Sequence, residues 1–131
     1  MIAKNPYQNY QHNAVSGARP EELTTMLYNR LLKDINFASA GIQNKDIQTA
    51  HNSIMHAQDI INHLMNTLDD SYDVSRGLNL LYEYMNRRLT EANIKKDTGI
   101  LQEIGGMAEE IRDTWVRAVK LTRSDVAPDA K

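Results

Sequence analysis

Ile47, Ala50, Ile54, Ala57, Ile61, Leu64 and Leu68 follow one another at alternating spacings of three and four. Only an α-helix gathers such a series on one face. A series this regular is the seam of a helix packed at about 20° to its neighbours. Leu101, Ile104, Ala108, Ile111, Trp115, Ala118 and Thr122 repeat the pattern further along. Prolines stand only at 6, 20 and 128, so the chain between Pro20 and Pro128 is free to form long helices. No strand-like alternation is sustained, which argues against a sheet.

Boundaries follow from local chemistry. Pro20 occupies the favoured first position of a helix, with Glu21 and Glu22 at its electropositive end. Its apolar stripe is Leu23, Leu27, Leu31, Ile35, Ala38 and Ile42, widened by Met26, Tyr28 and Leu32. It stops within Gly41–Lys45, where Asn44 or Asp46 caps the second helix. The second helix ends in the polar turn Asp69–Asp73. The third carries Val74, Leu78, Leu81, Tyr82, Met85, Leu89 and Ala92, and the fourth follows Lys95–Gly99 with Asp97 as its N-cap. Gly105 and Gly106 fall inside the fourth and cost roughly 2 kcal/mol of helix propensity, which predicts a bend or a close approach by another backbone. The expected fold is all-α, an antiparallel four-helix bundle over residues 20–123. Residues 1–19 are set apart as a candidate N-terminal cap segment, and 124–131 are expected to be a disordered polar tail.

Composition removes several function classes. The 131 residues carry a net charge of −2, so no basic excess exists to hold nucleic acid. The absence of cysteine excludes disulfides, thiolate nucleophiles and thiolate-ligated metal. No apolar run approaches the ~18 residues of a membrane span, and the N-terminus lacks a signal-peptide pattern, so the reading is cytoplasmic, with no membrane insertion. His12, His51, His56 and His63 include no Glu-x-x-His motif and no pair four apart, so no metal site is expected. A histidine phosphotransfer module would share this length and fold. It wants a lysine near the acceptor, which His51, His56 and His63 lack, and Asp59 would repel a phosphate. Gly105-Gly106 precedes no Lys-Ser or Lys-Thr and is no phosphate loop. No cofactor and no enzymatic activity are expected.

Apolar residues outnumber what the stripes need. Tyr28, Leu32, Met55, Ile60, Met65, Leu80 and Tyr84 lie beside or off them. Either the core is broader than the stripes, or a groove between helices awaits an amphipathic segment, for which methionine suits the surface. Residues 1–19 are too polar for a core element. Their Ile2, Tyr7, Tyr10, Ala14 and Val15 either lie over such a groove or belong to a disordered leader.

Five blocks of residues resemble, in order, the flagellin-specific secretion chaperones of the FliS family. They are Asn5-Pro6-Tyr7 with Tyr10 and Asn13-Ala14-Val15; Pro20 to Tyr28, a Pro-x-x-Leu-x-x-Met-Leu-Tyr motif; Ala57 to Leu64, followed by Leu68; Leu81 to Asn93; and Ile111 to Trp115. The resemblance runs from Asn5 to about Lys120. Asn29 stands where the family often has an acid, and His56 where it often has a lysine. The resemblance implies a cytosolic, non-enzymatic export chaperone. Such a protein binds the disordered C-terminal segment of flagellin, prevents premature polymerisation and delivers the subunit to the flagellar type III export gate. It further implies partner-binding roles for Tyr7, Tyr10 and Val15, then Leu23, Met26 and Leu27, and mostly structural roles for Tyr82, Arg87, Asn93 and Trp115. The competing reading is a generic helical-bundle adaptor in secretion or signalling, phosphotransfer included.

Overall fold

The computed structural model describes residues 19–69, 71 and 73–129, with side chains through residue 122. Four helices follow in order: α1 (Pro20–Gln43), α2 (Ile47–Asn66), α3 (Asp73–Lys95) and α4 (Thr98–Asp129). No strand occurs among the described residues. Between α1 and α2, Asp34 bonds to His56, while the backbone of Ala50 lies against Gly41. Between α2 and α3, Gln58 reaches Thr90, Asn62 reaches Asn86 and His51 reaches Asn93. Between α1 and α4, Thr25 meets Trp115 and Asn29 meets Arg112. Numbers fall on one helix as they rise on the other in each case, so neighbours run antiparallel. Each helix packs on two others.

Turn chemistry explains the tight corners. The amide of Asp46 donates to the Gly41 carbonyl at 2.7 Å and that of Lys45 to Ile42 at 3.1 Å, with Lys45 at φ 61°. This closes α1 in a left-handed cap in which lysine takes the place glycine usually holds. The corner after α3 repeats it, with Lys96 at φ 50° and the Asp97 amide on the Ala92 carbonyl. Asp46 caps α2 by accepting from the Thr49 amide and hydroxyl, and these bonds hold its carboxyl below the usual aspartate range. Asp97 caps α4 through the amides of Gly99 and Ile100.

The core contains Leu27, Leu31, Ile35 and Ala38 of α1, Ile54, Ala57, Ile61 and Leu64 of α2, Met85, Leu89 and Ala92 of α3, and Leu101, Ile104 and Ala108 of α4. Tyr28, Ile60, Tyr82 and Ile100 complete it. The Tyr28 and Tyr82 hydroxyls lie 2.6 Å apart, joining α1 to α3 across the bundle. The broader-core reading therefore holds for Tyr28 and Ile60, and for Leu32, Met65 and Tyr84, which pack on the core partly buried. Met55 and Leu80 remain exposed.

Several sequence expectations are corrected. Ile47 of the second helix is exposed, as are Val74 and Leu81 of the third, and Ser75 is buried instead, its hydroxyl on the Asp69 carbonyl. Ala118 and Thr122 of the fourth seam are exposed, because α4 outruns the helices beside it. At Gly105 and Gly106 no backbone comes close: a Cβ on Gly105 would make ordinary contact with Ile35, and one on Gly106 would meet nothing. The close approach is at Gly41, where a Cβ would lie 3.0 Å from both the Ala50 nitrogen and the Asp46 carbonyl. The helical backbone of α4 continues past residue 123 to Asp129.

Candidate partner-binding surface

Register determines which end of the bundle is open. Opposed residues of α1 and α4 have numbers adding to about 140, so Pro20 falls level with about residue 120. On the other flank Tyr84 and Arg88 both bond to Glu103, so the start of α3 falls level with about residue 116. Beyond these levels none of the other described helices runs alongside α4 for most of its last ten residues, about 15 Å at 1.5 Å per residue.

Apolar side chains are open on the α3–α4 side of this end. Val74 and Leu81 lie seven apart, and Arg88 seven beyond, so all share the face of α3 that meets Glu103. On α4 the matching face runs from Glu103 through Met107 to Leu121. Val74 and Leu121 are each 67% exposed, and Leu81 is 41% exposed. Met107 and Ile111 are half-buried. Further into the bundle this flank is closed by Tyr84, Arg88, Glu91, Lys95 and Glu103. The Tyr84 and Arg88 bonds hold the Glu103 carboxyl below the usual glutamate range, and the Lys95 and Arg88 bonds do the same for Glu91.

Leu23 and Met26 open the opposite flank. Both are half-buried, and the face they share continues through Arg30 to Asp34, whose carboxylate meets α2. Asp34 is buried at 2% exposure, 2.8 Å from His56 Nδ1 and 3.3 Å from Arg30 Nε. Burial pushes its carboxyl up, and His56 and Arg30 draw it back down. Leu27, grouped with Leu23 and Met26 from the sequence, is a core residue at 5% exposure and offers a partner little surface. Tyr7, Tyr10 and Val15 lie outside the described residues. Two apolar surfaces thus flank the start of α1, one on α1 and one across α3–α4. The second has no counterpart in the sequence reading; the seven-residue step from Val74 to Leu81 was its signal.

Of the residues expected to be structural, Tyr82 holds the buried hydroxyl pair, and Asn93 bonds to His51 and receives the Lys96 ammonium. Arg87 stacks over the Tyr84 ring at 5.5 Å. Trp115 donates its indole N–H to α1. Among the described residues no cluster of acidic or histidine side chains is placed to hold a metal. No described helix is long and apolar enough to cross a membrane.

The profile of the family described as flagellar protein FliS matches residues 3–122. The flagellar secretion chaperone FliS of Bacillus subtilis strain 168 is 43% identical over 125 residues, covering 95% of this chain and 94% of that one. The protein of the same description from Escherichia coli K12 is 33% identical over 106 residues, covering 79% of this chain and 78% of its own. A crystal structure of a bacterial flagellar chaperone superposes with a TM-score of 0.72 over 88% of this chain and 95% of that one; at 15% identity it speaks to the fold alone. An antiparallel bundle with an open end, matched by that profile over nearly its whole length and by those relatives, makes this chain a member of the FliS family of flagellar secretion chaperones.

Proposed function

We propose that this chain binds the disordered C-terminal segment of flagellin in the cytoplasm, keeps it from polymerising and presents it to the flagellar export gate. The observation that carries the reading is the pair of apolar surfaces at one end of the bundle, Leu23 with Met26 on one flank and Val74, Leu81 and Leu121 on the other. A disordered amphipathic segment can wrap both, folding as it docks, and the ordering cost leaves the complex releasable. Arg19, to which residues 1–18 are joined, lies level with the last turns of α4. In this reading Tyr7, Tyr10 and Val15 cover part of the apolar surface until flagellin displaces them, which lowers apparent affinity by the fraction of closed molecules. The reading needs no enzymatic step and no cofactor.

Titration calorimetry of the full chain with a flagellin C-terminal segment at several temperatures tests it. The expected result is one segment per chaperone with a negative heat-capacity change. Absence of binding to both the segment and full-length flagellin would refute the reading in favour of a bundle adaptor.

A further inference from the structure

The chain's one tryptophan joins the open end to the start of α1. The Trp115 indole N–H forks to two acceptors on α1, the Glu21 carbonyl at 3.1 Å and the Thr25 hydroxyl oxygen at 3.0 Å. The Thr25 hydroxyl in turn donates to the same Glu21 carbonyl at 3.2 Å. The three groups close a small triangle across the α1–α4 boundary, all part-buried. The Arg19 amide donates to the Glu22 carboxylate at 2.9 Å within the same turn. The next polar link from α1 to α4, Arg112 to Asn29, lies a turn further along.

A first helical turn has few intrahelical bonds and frays unless something outside the helix holds it. The fully buried part of α1 begins at Leu27, so apolar packing leaves the turns before it weakly held. Those turns carry Leu23 and Met26. We propose that Trp115 is a positioning residue for partner binding. Its forked hydrogen bond keeps the start of α1 helical, so that Leu23 and Met26 are preorganised. The inference rests on the flagellin reading for its consequence, not for its geometry. A preorganised surface binds more tightly because less ordering remains to be done on docking.

Amide hydrogen exchange on the free, full-length chain separates a positioning role from a packing role. Trp115→Phe keeps an aromatic ring and removes the N–H. It should raise exchange at Thr25 and Met26 about fivefold, the worth of one net hydrogen bond, and leave Ile54 and Ile61 in α2 unchanged. Thr25→Val should raise the same amides less, because Glu21 still accepts from the indole, and Thr25→Ser should restore them. Trp115→Phe should also release a bound flagellin C-terminal segment about fivefold faster. Unchanged exchange at Thr25 and Met26 would overturn the proposal, as would a uniform rise that includes α2, or local fraying with unchanged release. If wild type binds no flagellin segment, the flagellin reading fails, and the exchange comparison alone decides whether Trp115 holds the turn.

Discussion

Tyr28 and Tyr82 offer a test of how the bundle is specified. Their side chains are 3% and 1% exposed, and their hydroxyls, 2.6 Å apart, are each other's partner across the diagonal. Replacing one tyrosine by phenylalanine keeps the ring, and so the packing, but strands the other hydroxyl in an apolar interior. That costs about 1–3 kcal/mol, whereas removing both hydroxyls leaves nothing unpaired and is nearly neutral. Tyr28→Phe and Tyr82→Phe should therefore each destabilise by about 1.5 kcal/mol, or about 5 °C in melting temperature for a domain this size. The double variant should lie within about 0.5 kcal/mol of wild type, a coupling of more than 2 kcal/mol. Urea unfolding with an unchanged slope, together with calorimetric melting, measures all four proteins. Additive losses in the double variant would refute the reasoning and show that the hydroxyls are satisfied separately. A second signature follows from burial, which raises both phenols above the ordinary tyrosine range. A raised folded value stabilises below the unfolded pKa and is lost as pH climbs through the folded one. Wild type should therefore lose stability above about pH 10, and the double variant should lose less.

Other perturbations read other joints of the fold. Lys45→Gly relieves a left-handed lysine whose side chain makes no bond among the described residues, keeps the amide bond to Ile42, and should stabilise by about 0.5 kcal/mol in urea unfolding; Lys96→Gly, which also forfeits the bonds from Lys96 to Asn93, should not. Gly41→Ala forces a methyl group against the backbone of α2 and should cost about 2 kcal/mol despite alanine's better helix propensity, measured by melting temperature. Asp34, held above the ordinary aspartate range by burial, contributes a term present at low pH and lost as pH rises through its folded value. The stability of Asp34→Asn relative to wild type should therefore improve between about pH 3 and pH 7; a relative decline over that range would refute the assignment.

What the sequence disclosed, and what it hid, follows from the kind of signal each feature leaves. The α2 seam was legible because Ala50, Ile54, Ala57, Ile61 and Leu64 offer a single register with no competing apolar face. On α3, Val74, Leu78, Leu81, Tyr82 and Met85 offer two overlapping registers. Spacing cannot choose between them. In the structure Tyr82 turns inward, where its hydroxyl finds Tyr28, and Val74 and Leu81 are turned out. That partnership spans 54 positions of sequence and leaves no local trace. The glycines divide the same way. Gly105 and Gly106 draw the eye as a pair, yet the helix merely continues through them. Gly41 looks like an ordinary stop signal, yet it is the glycine against which α2's backbone packs. The open end of the bundle was the least legible feature, because exposure there is set by differences in helix length. The α4 seam reads as regularly at Ala118 and Thr122 as at Ile104 and Ala108, and only the starts of α1 and α3 determine where its neighbours end. An apolar seam that outlasts its bundle is indistinguishable, within its own sequence, from one that does not. That Val74, Leu81 and Leu121 are left exposed at one end followed only once the Trp115–Thr25 and Arg88–Glu103 bonds fixed the register of α4 on both sides.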